Sequence, residues 1–455
     1  MDAQTLTSQS IPILIRNLAI PASMGMVFNT LYNIVDTYYA GLISTQALAA
    51  LASSSFLFFF IIALGYGASS ALTALIGHAY GRKHSFLAQI TTQKGIALVS
   101  FLGIFLSILG YTNASWLLKL SGSQEAYHDL ALAYMQIILA GAVFFFLNFA
   151  FNSILVATGD TKSYRNTLIF GFFANLVLNP LFIYGWLFIP SFGVSGIALS
   201  TVLIQAINAL YLLKKCHQTG LLLFTCKNHF YPHLKLYKEF FTQALPPALN
   251  MLMISLGSLI ALHFVSHYGE NAVAGFGIGY RVEQLMLLPS LGISSAVLSL
   301  VSNNAGAKEF TRVRQTLLYA LGYGYFVSFF GMLFLLFLGE WIVGLFAKDA
   351  LVLSFAKSYI GVMIFLFYGY LTHFVCVSTL QGLKKPTMIF YIGFFRQILA
   401  PIIAYTLCVS YFELSFISMW IALGGIVYSS AAFLLLYTYR QLSIKAKLSA
   451  QIAKP

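Results

Sequence analysis

Apolar residues in this chain run in long, uninterrupted blocks. They do not follow the rhythm of a half-buried helix or strand. Stretches such as Phe56 to Ala63 and Phe329 to Leu338 are apolar on every side, which argues against the polar–apolar alternation of a membrane β-barrel strand. A helix needs roughly 20 residues to cross about 30 Å of hydrocarbon. Blocks of that length fall at residues 12–38, 53–77, 95–117, 131–157, 166–189, 193–213, 244–267, 272–302, 316–338, 352–380, 388–409 and 414–438. They predict an all-α membrane protein of twelve transmembrane helices. The chain opens without a short apolar core and small-residue cleavage site, so its first block reads as a retained helix.

The polar stretch 214–243 divides the blocks into six and six, and the two sets echo each other. Gly67-Ala-Ser-Ser-Ala-Leu-Thr-Ala-Leu closes the second block and leads to Gly81 and Lys83. Gly292-Ile-Ser-Ser-Ala-Val-Leu-Ser-Leu closes the eighth and leads to Gly306 and Lys308. A second echo joins Ala157-Thr-Gly159-Asp-Thr-Lys162 to Leu380-Gln-Gly382-Leu-Lys-Lys385. Small residues recur in membrane helices for close packing alone, but two echoes in one order favour duplication. The expected architecture is two pseudo-symmetric six-helix bundles with a central cleft. An N-lobe would span residues 1–213, a cytoplasmic inter-lobe loop 214–243, and a C-lobe with a basic cytoplasmic tail 244–455.

Charged residues make up 8% of the chain, against about a quarter in soluble domains. A formal charge of +13 raises nucleic acid as a partner, but its placement answers otherwise. Lys and Arg cluster at 82–94, 162–165, 214–238, 308–314, 384–385 and 440–454, all in loops of one side, while the other side has Lys119, Lys348 and Lys357. That asymmetry places both termini in the cytoplasm of a bacterial inner membrane and leaves no basic surface for nucleic acid. Cys376 and Cys408 lie in spans, and Cys216 and Cys226 flank the cytoplasmic loop, so no disulfide framework is expected. Cys216, His217, Cys226, His229 and His233 lack the close spacing of a zinc site. Gly77-His-Ala-Tyr-Gly81-Arg-Lys83 is not a nucleotide loop, and Gly275-x-Gly277-x-Gly279 has the wrong spacing for a dinucleotide. No cofactor is expected.

An acidic residue at the bilayer centre costs roughly 2.5–3.5 kcal/mol, so each one inside a span is a candidate for function. Only Asp36 and Glu283 qualify. Glu283 lies two residues from Arg281, leaving open a structural or gating ion pair and a cation site. Asn29, Asn33 and Asp36 follow at steps of four and three, making one polar stripe on the first helix. Pro21 lies lower in that helix and is expected to bend it as a hinge. Asn175 and Asn179 share a face of the fifth helix, and Asn148 and Asn152 a face of the fourth, with Tyr134 further out. Such amides either bind helices together or surround a carboxylate that loads and releases a cation. Rings such as Tyr32, Tyr38, Phe56 and Phe60 could attract flat organic cations.

The six-plus-six plan, the Gly-rich ends of the second and eighth helices, the Ala-Thr-Gly-Asp-Thr-Lys turn and the segment Gly275-Phe-Gly-Ile-Gly-Tyr-Arg281-Val-Glu283 together resemble the multidrug and toxic compound extrusion (MATE) family. The resemblance spans nearly the whole chain. It implies a cation site in the N-lobe around Asp36, with Asn175, Asn179, Thr201, Tyr134 and Asn152 beside it, and Asn29, Tyr32, Asn33 and Asp36 facing substrate. It implies secondary efflux of amphipathic organic cations by a monomer in antiport with H+. Na+ held at Asp36, Asn175, Asn179 and Thr201 is the alternative. Some members carry a second aspartate where this chain has Asn179, and losing that anionic oxygen weakens a sodium site. A large branch of the family carries carboxylates in helices seven and ten. Here those helices offer only His263 and His373, as in the branch named for the DNA-damage-inducible F protein. A flippase for lipid-linked saccharides is the alternative within the same superfamily. A membrane-embedded transferase would need convergent acid, base and nucleophile groups that the spacing does not suggest.

Overall fold

The structure is a computed structural model that describes residues 3–222, 234–346 and 348–452. The expectations that involve Cys226, Lys227, His229, His233 and Lys454 lie outside the described residues. Helices account for nearly all of the fold: α1 (Ala3–Ser8), α2 (Ile11–Ile43), α3 (Thr45–Gly81), α4 (Ser85–Leu120), α5 (Glu125–Ala140), α6 (Ala142–Ala157), α7 (Lys162–Tyr184), α8 (Val194–Gln218), α9 (Leu234–Val265), α10 (Glu270–Gly306), α11 (Phe310–Gly344), α12 (Ala350–Gly382), α13 (Thr387–Phe394), α14 (Ala400–Tyr405) and α15 (Phe416–Ile452). Among the described residues, eleven helical segments are long and apolar enough to cross a membrane, and the bent pair of α5 and α6 supplies a twelfth. The chain is a multi-pass membrane protein.

The helices outrun their apolar blocks. The 37 residues of α3 reach about 55 Å, well past the hydrocarbon. Two expected straight helices are interrupted instead. The block at 131–157 turns by 45° at Gly141, where a Cβ would fall 2.5 Å from the side chain of Val202. The block at 388–409 is α13 and α14 joined through a π-helical turn at Phe395–Leu399, with a second at Thr406–Tyr411. Pro401 stands just beyond the first, and its ring would clash with the carbonyl of Gln397, four residues back, in a regular α-turn. The wider π turn relieves that clash. Pro21, by contrast, is accommodated inside an unbroken α2.

The described residues form two compact units, Met24–Ala248 and Gln4–Ser23 with the chain from Leu249 onward. The start of α2 therefore groups with the later half of the chain, and the start of α9 with the earlier half. Glycines make both arrangements possible. A Cβ at Gly67 of α3 would fall 2.5 Å from the Ala244 carbonyl oxygen and 2.6 Å from the Ala248 methyl. A Cβ at Gly292 of α10 would fall 2.6 Å from the Ser23 nitrogen and 2.8 Å from the Ala19 oxygen. In each unit a second helix receives the foot of a first helix against bare backbone.

The repeat extends to backbone conformation. Lys83 after α3 and Lys308 after α10 are both left-handed, at φ 58° and 64°. The second echo shifts. Gly159 is left-handed at 79°, but its counterpart is Lys384 at 57°, since Gly382 is the last residue of α12 and packs on Val301. In the second half a lysine occupies the strained turn that glycine fills in the first.

Gly67→Ala and Gly292→Ala should each destabilise the protein by about 1–3 kcal/mol, whereas Gly322→Ala, with nothing within 4 Å of the new carbon, should not. Thermal unfolding in detergent tests this. Equal midpoints for all three variants would refute the packing account.

Candidate functional site

Asp36 lies on α2 in the unit of Met24–Ala248 and is 8% exposed. Asn175 and Asn179 of α7 are one turn apart and therefore share a face. Both donate their amide N–H groups to Asp36 Oδ1, at 2.8 and 2.9 Å. A chain of amide and hydroxyl groups fixes them in turn. The Asn179 amide donates to Asn175 Oδ1, and the Ser200 hydroxyl of α8 donates to Asn179 Oδ1. Thr201, next along α8, is within hydrogen-bonding reach of Asp36. It also accepts the Tyr32 hydroxyl at 3.0 Å. Tyr134 of α5 is buried beside the same carboxylate. Among the described residues Asp36 makes no ion pair.

Helix chemistry holds this arrangement in register. Pro180 has no N–H, which leaves the carbonyl of Leu176, four residues back in α7, without its helical donor. The Tyr39 hydroxyl, one turn beyond Asp36 on α2, donates to that carbonyl at 3.2 Å. The proline that follows Asn179 thus creates the acceptor that ties α2 to α7 beside the acid. On the far side of α7, Gly196 of α8 sits where a Cβ would fall 2.6 Å from the Phe182 carbonyl. Close backbone approach here brings Ser200 and Thr201 within reach of α7.

The expected residues do not all assemble. Asp36, Asn175, Asn179, Thr201, Tyr134 and Tyr32 come together. Asn152 does not join them, and its amide oxygen is buried without a hydrogen-bond partner. Its neighbour Asn148 instead donates to Gln205, to the backbone oxygen at 2.9 Å and the side-chain oxygen at 2.6 Å. The stripe continues differently too. Asn29 and Asn33 are exposed, and the Asn33 amide bonds back to the Asn29 carbonyl at 2.9 Å. Ser200 was not anticipated, although it directly precedes Thr201 in the same polar pair. The suggested pairing of Glu283 with Arg281 is not formed. Glu283 is buried and Arg281 exposed, as two-residue spacing on a helix dictates. His263 is exposed and His373 buried.

No group of three or more His, Cys, Asp or Glu side chains could hold a metal ion among the described residues. Around Asp36 the nearest groups are amide nitrogens, which suit a carboxylate. The oxygens Asn175 Oδ1 and Asn179 Oδ1 are already occupied as acceptors.

The sequence profile of the MatE family matches this chain twice, at residues 21–181 and 246–406, so that each match begins at a proline inside the first helix of its half. The chain is 29% identical to the probable multidrug resistance protein YoeA of Bacillus subtilis, over 63% of this chain and 62% of that protein. It is 25% identical to the probable multidrug resistance protein NorM of Thermotoga maritima, over 96% of this chain and 94% of the relative. In fold it is similar to a MOP superfamily transporter from Pyrococcus furiosus, with a TM-score of 0.90 at 23% identity, covering 97% of this chain and 98% of that one. With both halves matched by the one profile, the chain belongs to the MatE family of multidrug and toxic compound extrusion transporters.

Proposed function

We propose that this protein is a secondary multidrug exporter that extrudes amphipathic organic cations in antiport with H+, with Asp36 as the coupling carboxylate. The observation that carries the reading is the environment of Asp36: buried in a span, held by neutral donors from Asn175 and Asn179, with Thr201 beside it, and without an ion pair among the described residues. Such a carboxylate can take up and give back a single positive charge, and that exchange is what antiport requires. Burying the ionised acid without a cation is costly, and the amide donors offset part of that cost, so burial and hydrogen bonding oppose each other at this acid. A driving force of about 2.3 kcal/mol per charge per 100 mV makes inward proton flow sufficient to expel cargo. The multidrug resistance names of the YoeA and NorM relatives support the substrate class.

Two features favour a proton over sodium. Asn179 stands where a second carboxylate would supply anionic oxygen, and the amides turn nitrogen toward Asp36. Tyr32, already bonded to Thr201, is the aromatic ring placed to sense cargo beside the acid. The excess of Lys and Arg on one side supports a protein whose termini face the cytoplasm.

In everted membrane vesicles, Asp36→Asn should reduce proton-driven drug uptake to the level of vesicles lacking the protein, with thermal stability changed by no more than about 1 kcal/mol. Undiminished uptake would remove Asp36 from coupling. Asn179→Asp should confer uptake driven by an imposed Na+ gradient, about tenfold above wild type. If wild type already responds to Na+ as strongly as to H+, the proton assignment is wrong.

A further inference from the structure

A second buried carboxylate lies in the other unit and is not used by the mechanism above. Among the described residues Asp36 and Glu283 are the only buried acids. Glu283 of α10 is 5% exposed and accepts the hydroxyl of Tyr359 from α12. The hydroxyl of Tyr370, three turns along α12, is also within hydrogen-bonding reach. The cation that answers it is Arg396 on the π-helical turn, 3% exposed. The Arg396 guanidinium sits 5.6 Å over the Tyr370 ring, makes no direct ion pair with Glu283, and leaves its Nε buried without a hydrogen-bond partner.

The glycine motif of the sequence builds this centre. A Cβ at Gly275 would fall 2.8 Å from the Val352 carbonyl, and one at Gly279 2.5 Å from the Tyr359 ring, whereas Gly277 faces open space. Gly275, Gly279 and Glu283 are successive i, i+4 positions on one face of α10. The two bare turns let α12 approach until Tyr359 meets Glu283 one turn further on. The π turn before Pro401 is the second device, because the extra residue re-aims the side chains of its helix, and such turns recur at functional sites. Aromatic rings close the shell: the Trp420 indole stands against Tyr359 at 4.6 Å and stacks on Phe276 at 5.3 Å. Both ring nitrogens of His373 are buried nearby without partners, and so is the indole nitrogen of Trp420.

A purely structural ion pair would close its hydrogen bonds, since a buried charge left half-satisfied is destabilising. Here the acid and the base are held apart, and the donors around them are left open. We propose that the Glu283–Arg396 centre is a second proton-exchange site, in which the Glu283 carboxyl gains and loses a proton against the fixed charge of Arg396. The proton passes between water and a carboxyl oxygen, and Arg396 stays charged throughout. The other titratable groups facing Glu283 are Tyr280 from its own helix, Tyr359 and Tyr370 from α12, and Tyr405 from α14; His373 of α12 faces Arg396. Of these tyrosines Tyr359 donates a hydrogen bond to Glu283, and the ordinary pKa of a phenol, about 10, lies above the range tested. The proposal does not rest on the role of Asp36.

The test is infrared spectroscopy of the full chain in lipid vesicles, reading the carbonyl stretch of protonated carboxyl groups as pH is varied over roughly pH 5 to 9. In an Asp36→Asn background a titrating band should remain, and adding Glu283→Gln should abolish it. Glu283→Gln keeps an acceptor for Tyr359, so the protein should stay folded. Arg396→Gln should leave the band present but no longer titrating over that range, because the ionised carboxylate has lost its counter-charge. A titrating band that survives in the double variant, or the absence of one in Asp36→Asn, overturns the proposal. Drug uptake by the Asp36→Asn variant is read separately, so the failure of either site is distinguishable from that of the other.

Discussion

An acid that is removed from water must find its hydrogen-bond donors within the protein. This constraint on Asp36 organises the unit around it. Holding the acid in hydrocarbon costs roughly 2.5–3.5 kcal/mol on insertion scales, so the surrounding helices must supply several donors at fixed depth. Asn175 and Asn179 supply two from one face of α7, and Thr201 of α8 lies beside them. Each donor is itself oriented, by Ser200, by Tyr32 and by the Tyr39 bond to the carbonyl that Pro180 leaves open. A mobile amide could follow the acid through its charge states without committing energy to either. An amide already held by a hydroxyl cannot, and protonation of Asp36 therefore has to be felt by α7 and α8.

Donor placement depends in turn on how closely helices can approach. Between helices in lipid there is no hydrophobic drive, and contact depends on packing and hydrogen bonds. The glycines are where backbone meets backbone or ring: Gly196 against Phe182, Gly279 against Tyr359, Gly67 and Gly292 against the feet of α9 and α2. Of these, Gly67 and Gly292 occupy equivalent places in the two halves, so duplication copied that close contact along with the helices. What was copied is geometry, since the left-handed turn after the fourth helix is Gly159 in one half and Lys384 in the other.

Much of this was legible in the sequence for physical reasons. Span number follows from apolar length, and the acid at Asp36 was conspicuous because so few charges enter the spans. Asn175 and Asn179 could be paired with each other by one-turn spacing, but their meeting with Asp36 is a tertiary fact that only the family resemblance supplied. Asn152 shows the limit. It shares a face with Asn148, yet that face turns toward Gln205, because spacing defines a stripe and not its direction. The break at Gly141 and the π turns near Pro401 were invisible to apolar length, which counts residues and is blind to the hydrogen-bond register between them. In the sequence Arg396 is only a charge inside a span. Nothing in linear distance ties it to Glu283.

The two units answer one physical problem in opposite ways. Asp36 accepts amide hydrogen bonds and makes no ion pair among the described residues. Glu283 accepts the Tyr359 hydroxyl and has the Arg396 guanidinium among its charged neighbours. Asp36 lies on the first helix of its half and Glu283 on the second helix of its own, so the two acids are not copies of one position, whereas Gly67 and Gly292 are. Packing is shared because lipid imposes it equally on both halves. The charge around each acid is not imposed by lipid, and it is there that the two halves differ.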